Sequence, residues 1–181
     1  MYINYISQIK NLYKNDMKKL RTGTILFGHL FDSRWQTRIQ SPLTDEEILE
    51  LERKFGILPI PYKEFLLATN GGYLFDLISI AGKQDGYRGM SHEEMVNQPI
   101  PLNRIISPSI RQKTAEEGLF IFAKSMVNDS FFALDPNEKV IEINYNKLKI
   151  VQEFNSLENL LNEIFIEGKK LVEDGEYIDF Y

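Results

Sequence analysis

The chain has 181 residues, an apolar fraction of 43%, twelve Phe and nine Tyr, enough to build one real core and to exclude a disordered chain. It contains no cysteine, so disulfides, thiolate catalysis and Cys-ligated zinc are excluded. The net charge of −5 is uneven: residues 1–40 carry seven Lys or Arg against two Asp, a balance of +5, and the remainder carries −10, an acidic body that disfavours nucleic acid and suits a basic protein partner.

The N-terminus mixes Tyr, Asn, Gln and Lys and lacks an apolar signal core, and no run approaches membrane-spanning length. The expected compartment is the cytoplasm, with no membrane contact. Tyr2, Ile6, Ile9 and Tyr13 recur at helical spacing, with Leu12, Met17 and Leu20 continuing the stripe. Lys10, Lys14, Lys18, Lys19 and Arg21 fill the other positions. This predicts a basic amphipathic helix ending near Thr22-Gly23, its apolar stripe covering the domain's own core. Thr24 to Phe27 reads as a short strand. Gly28 to Arg38 reads as a loop, with the single tryptophan, Trp35, plugging the core between Arg34 and Arg38. Residues 1–40 are thus expected to be a helical extension packed on the domain.

The clearest local signals follow. Thr44 and Glu47 have capping-box spacing, Leu43 and Ile48 can close a hydrophobic staple, and three acids sit at the helix start. Ile48, Leu51 and Phe55 share a face, and Gly56 supplies the stop. Pro59 and Pro61 separate this helix from a second, whose buried face is Tyr62, Phe65 and Leu66. Asn70-Gly71-Gly72 ends it and leads into the strand Tyr73-Leu74-Phe75. A phosphate loop would run from the glycines into a helix; here the order is reversed.

Leu77 to Ile80 reads as a further strand, and Ala81 to Gly89 as a polar loop. Ser91 and Glu94 form a second capping box, for a short helix to about Asn97. Ile105-Ile106 reads as a buried edge, and Pro108 to Glu117 as irregular or briefly helical. Strands then follow at 119–123, 130–134 and 139–143, joined by Asn128-Asp129 and Asp135-Pro136-Asn137-Glu138 turns, with a short strand at Ile150-Val151. In the third of these, Val140 and Glu142 share one face and Ile141 and Ile143 the other. Ser156 caps a long helix with Leu157, Leu160, Leu161, Ile164 and Phe165 on its buried face and Gly168 as a weak point. Residues 173–181 mix acids with aromatics and read as a frayed tail, the alternative being a short segment docked on the domain or a partner. The class is α+β, a central antiparallel meander flanked by helices, with the main domain over 41–172.

Chemistry is poorly supplied. His92-Glu93-Glu94-Met95 lacks the second histidine of a zinc-protease helix, and no Gly-x-Ser-x-Gly elbow exists. Adjacent acids such as Glu116-Glu117 point apart. These readings argue against an enzyme.

The capped helix, Pro59-x-Pro61-Tyr62-Lys63-x-Phe65-Leu66, Asn70-Gly71-Gly72, Phe131-Phe132-Ala133-Leu134-Asp135 and Ser156-Leu157-x-x-Leu160-Leu161 together resemble the SUKH superfamily, across roughly residues 42–166. That group includes fungal cell-wall synthesis regulators and many bacterial immunity proteins. The resemblance implies a non-enzymatic protein without cofactor or metal. It implies an antidote that binds a cognate protein toxin, a nuclease or a deaminase domain; the alternative is a regulatory interaction module on the same fold. The chain departs from the pattern at Ile60, where members commonly carry a polar residue, and in 1–40 and 82–117. Candidate partner contacts, as acids or an aromatic on predicted loops and strand faces, are Asp76, Asp85, Tyr87, Asp129, Glu138 and Glu142. A monomer or a homodimer is expected.

Overall fold

Nine strands pair in their order along the chain, all antiparallel, into one sheet among the described residues. The computed structural model describes residues 2–31, 33–178 and 180. The elements are α1 (Tyr2–Tyr13), β1 (Met17–Lys19), β2 (Ile25–His29), β3 (Trp35–Ile39), α2 (Asp45–Phe55), α3 (Ile60–Ala68), β4 (Gly72–Leu74) and β5 (Ile78–Ile80). Then come α4 (His92–Val96), a 3-10 turn (Leu102–Arg104), α5 (Pro108–Glu116), β6 (Phe120–Ser125), β7 (Ser130–Leu134), β8 (Val140–Asn144), β9 (Ile150–Phe154) and α6 (Leu157–Asp174). This is the expected α+β meander flanked by helices.

Aromatic residues join helices to sheet. Tyr2 of α1 meets Phe65 of α3 edge-on at 5.5 Å, and Tyr5 meets Phe165 of α6 at 5.9 Å. Tyr13 stacks on Phe27 and Phe75, and Tyr62 packs against Phe120 and Phe122. The Tyr62 hydroxyl donates to the Ala81 carbonyl at 2.8 Å, so this fully buried phenol is satisfied. The Thr44 capping box forms as expected, a device that contributes about 1 kcal/mol. Gly71 (φ +70°) does more than end α3. A Cβ there would stand 2.7 Å from the Ala81 and Ile80 carbonyl oxygens, so only glycine lets the chain lie against β5.

Three stretches differ from the sequence reading. The first helix stops at Tyr13, and Met17 and Leu20 do not continue it; Met17–Lys19 is the exposed edge strand β1, and the turn at Gly23 returns the chain into β2. Two lysines suit an edge strand, where charge discourages pairing with another chain. The expected loop over 28–38 is largely the β2–β3 hairpin, with His29 opposite Trp35. Within β3 the buried positions are Gln36, Thr37 and Ile39; the two polar ones are bonded to the Tyr13 hydroxyl at 2.9 Å, and no apolar alternation marks the strand. Ile105 and Ile106 are buried but follow the 3-10 turn rather than forming a strand, and residues 108–116 are helical.

The described residues of the tail, through 178 and at 180, dock on the domain. Gln36 Nε2 donates to the Glu176 carbonyl at 3.2 Å, and Arg34 Nη2 to the Ile178 carbonyl at 2.8 Å. Tyr177 packs edge-on against Phe31, and Arg34 lies 5.0 Å from the Phe180 ring. Tyr181, part of the predicted tail, lies outside the described residues.

The short helix α4 is fastened to β1 and the β1–β2 turn by charge. Lys18 pairs with Glu93 at 2.7 Å, and Arg21 donates to both oxygens of Glu94. The Arg21 guanidinium, the Ser91 backbone N–H and the Ser91 hydroxyl hold the Glu94 carboxyl down to about 2, from an ordinary 4.5. A depressed carboxylate stabilises most above its unfolded value, and that contribution is lost as the proton binds. Docking of α4 is therefore expected to be complete above about pH 4.5 and to loosen as the pH falls towards about 2. Amide exchange read across that window should rise in residues 91–97 before it rises in β6–β8. In Glu94→Gln the α4 amides should exchange faster at neutral pH, and their dependence on acid should be lost.

Candidate functional site

The six predicted contact residues do not converge. Asp85 and Tyr87 are exposed on the loop between β5 and α4. Asp129 lies in the β6–β7 turn and Glu138 in the β7–β8 turn, at opposite ends of β7. Both are exposed, and Glu138 has φ +64°.

Asp76 and Glu142 are interior and present no charge to a partner. Glu142 shares its strand face with Val140, as the alternation indicates, but that face is the buried one; its carboxylate accepts from the Ser130 hydroxyl. Asp76 sits with Phe75 at the centre of the tight β4–β5 turn, closed by Leu77 N–H donating to the Leu74 carbonyl at 2.9 Å. Both central residues have positive φ, +56° and +60°, as a type I′ hairpin turn requires. A bulky residue rarely takes this conformation. Here the Phe75 N–H donates to Thr37 Oγ1, the Asp76 N–H donates to the Gln36 carbonyl, and the Phe75 ring is enclosed by Tyr13 and Phe165. The turn is thus covered by β3, and Asp76 has no exposed surface. Arg34 Nη1 donates to Asp76 Oδ1 at 2.9 Å. Burial pushes the Asp76 carboxyl above its usual range, and Arg34 opposes that shift.

A surface that the sequence reading did not single out lies at the corner between α2 and α3. Ile57 is 90% exposed and Ile60 is 63% exposed. With Pro59, Leu119 and Pro136 they line an open, apolar depression of about 460 Å3. Asp135 and Glu138 border it, so the exposed acid of the β7–β8 turn belongs to this patch. The available signal was compositional: two isoleucines in a Pro-flanked corner, one of them at the point where the chain departs from the resembled pattern. Exposed apolar surface rimmed by polar groups is the usual anatomy of a protein-docking site.

Among the described residues no cluster of three or more His, Asp or Glu is placed to hold a metal, and no helix is long and apolar enough to cross a membrane. His92 begins α4 on the exposed surface, and the His29 ring lies 4.8 Å from Trp35.

Comparison with known families finds a match to the model described as the SMI1 / KNR4 family (SUKH-1), over residues 42–163, more than half of the chain. The matched segment runs from the α2 cap into α6 and includes the Ile57–Ile60 corner and the β7–β8 turn. No curated protein and no solved structure matches significantly.

Proposed function

Because this chain belongs to the SMI1 / KNR4 family (SUKH-1), whose members are generally non-catalytic immunity-type or SMI1/KNR4-like proteins, we propose that it is a cytoplasmic immunity protein that binds a cognate toxin domain and blocks it. The observation that carries the reading is the exposed Ile57–Ile60 corner beside Asp135 and Glu138. An apolar centre supplies the desolvation that drives association, and an acidic rim favours a partner whose own rim is basic. Domains that act on nucleic acid, such as nucleases and deaminases, carry such basic surfaces to hold phosphates. An acidic body of −10 outside residues 1–40 would speed their encounter and compete with their substrate.

The test uses the full chain and a purified toxin domain recovered as its stoichiometric partner. Ile57→Asp with Ile60→Asp should weaken binding roughly 30-fold or more and abolish protection, since central apolar anchors carry most of an interface's energy. Thermal stability should barely move, because Ile57 is almost fully exposed and Ile60 largely so. Replacing Asp85, Asp129 and Glu138 together by Lys should slow association at low salt, with the difference closing at high salt. Unchanged affinity in the Asp/Asp variant would remove the corner from the interface. Recovery of a regulatory protein, with no protection against any toxin, would favour the regulatory module instead.

A further inference from the structure

A second surface, remote in chemistry from the apolar corner, lies between β3, β4 and α4. It is a cleft of about 570 Å3 with Arg34, Trp35, Arg38 and Tyr73 on its sheet side and His92, Glu93 and Val96 on its helix side. That volume lies within the range of small-molecule sites, about 300–1,000 Å3. We propose that it binds a small oxyanion ligand, a carboxylate or a phosphate ester, through the Arg38 guanidinium. The proposal stands independently of the immunity reading.

The pairing of β3 and β4 sets Arg38 directly opposite Tyr73. The guanidinium lies 4.1 Å from the Tyr73 ring centroid, a cation–π distance, so its plane is held before any ligand arrives. Its hydrogen bonds are meagre. Nη1 reaches the Val96 carbonyl at 3.3 Å and Asn97 Oδ1 at 3.5 Å, both long, and Nε is buried with no acceptor. Burial holds its pKa below the ordinary arginine value, the mark of a cation stripped of water and not fully compensated.

The acids nearby are already engaged. Asp76 accepts from Arg34, and Glu93 is paired with Lys18 at 2.7 Å. Arg34 is held further by the tail carbonyl of Ile178 and by Phe180. Arg38 forms no ion pair with a carboxylate among the described residues, where its partners are the Tyr73 ring and two neutral oxygens. A planar guanidinium with idle donors is matched by an oxyanion, which accepts two parallel N–H bonds and returns the missing charge. The protein's overall negative charge opposes an approaching anion, but that field is screened beyond about 10 Å at 0.1 M salt. Contacts within the cleft therefore decide binding.

Trp35 is the only tryptophan and lines the cleft, so its emission reports the site alone. The full chain is titrated at constant ionic strength with inorganic phosphate, with succinate and with sodium chloride. Phosphate, succinate or both should give a saturating change in Trp35 emission, and chloride should not. Saturation by phosphate alone assigns a phosphate ester, by succinate alone a carboxylate, and by both the shared oxyanion chemistry. Arg38→Met should weaken the apparent affinity roughly tenfold or more, whereas Arg38→Lys should keep part of it because a point charge remains without the fork. Val96→Glu is a second variant that does not depend on removing Arg38. Val96 is 53% exposed, so the fold tolerates the change, and the new carboxylate should occupy Arg38 and block the probe. No saturation by either probe up to tens of millimolar overturns the proposal, and so does saturation that Val96→Glu and Arg38→Met leave unchanged.

Discussion

Arg34→Met is expected to lower the stability of the fold by about 2–4 kcal/mol, close to the cost of breaking a buried ion pair from one side. The reason is the asymmetry between the two partners. Arg34 keeps 26% of its side chain exposed, whereas Asp76 has none. Removing the cation leaves a carboxylate that water cannot reach, because the Arg34 charge is the largest influence opposing its burial. Asp76→Asn should cost less, about 1 kcal/mol, because Asn tolerates positive φ and Arg34, 26% exposed, stays in reach of water. The double variant Arg34→Met, Asp76→Asn should be more stable than Arg34→Met alone. Both lose the Arg34 bond to the Ile178 carbonyl, so their difference isolates the stranded charge. Burial raises the Asp76 carboxyl, so protonation relieves the folded state more than the unfolded one, and the penalty of Arg34→Met should shrink as the pH is lowered. Urea unfolding followed by circular dichroism, at neutral and mildly acidic pH, measures each term. An Arg34→Met variant no less stable than Asp76→Asn would mean that the pair does not hold this turn.

The elements that could be read from the sequence are those whose causes are local. Thr44 with Glu47, and Ser91 with Glu94, are capping boxes complete within four residues, and both form. The Phe, Ile and Ala runs of β6 and β7 carry their own apolar signal and pair as a hairpin. What escaped depends on partners far along the chain. Strand β3 buries Gln36 and Thr37, and distant partners make that tolerable: the Tyr13 hydroxyl bonds both, the Glu176 carbonyl accepts from Gln36 and the Phe75 N–H donates to Thr37. Asp76 looks like a loop acid until the chain just before β3 supplies Arg34, 42 residues upstream. Glu142 is different, since its face was shared with Val140 in the alternation and the acid simply lies on the inward side. Arg34 and Arg38 flank Trp35 in the sequence, but the structure places Arg38 over Tyr73, a neighbour created by the β3–β4 pairing. The apolar corner was visible as two isoleucines, though their exposure depends on how α2, α3 and the β7–β8 turn close around them.

Gly168→Ala opposes two principles, and their magnitudes decide the outcome. In an open helix interior the change should stabilise by about 1 kcal/mol, because alanine restricts the unfolded chain and favours helix. Gly168 sits within α6, and the sequence alone marks it as a weak point. Packing reverses the sign. A Cβ at Gly168 would fall 2.1 Å from Phe75 Cγ and 2.3 Å from Cδ2, distances no real contact permits. Phe75 cannot step aside easily, since its ring is stacked by Tyr13 at 6.1 Å and met edge-on by Phe165 at 6.0 Å, and its backbone is fixed in the β4–β5 turn. Overpacking of this kind costs about 1–3 kcal/mol, and the tight turn places the expected value in the upper half even after the helical gain. Phe75→Ala alone should cost about 3–5 kcal/mol by opening a cavity. In the double variant the ring is gone, so the alanine at 168 meets open space and recovers its helical benefit. The two changes should therefore be strongly non-additive: Gly168→Ala is destabilising with Phe75 present and neutral or stabilising without it. Denaturant unfolding of the four proteins in this cycle gives the coupling directly. Simple additivity would mean that α6 can move away from the turn, and that the glycine serves something other than the close approach of helix and ring.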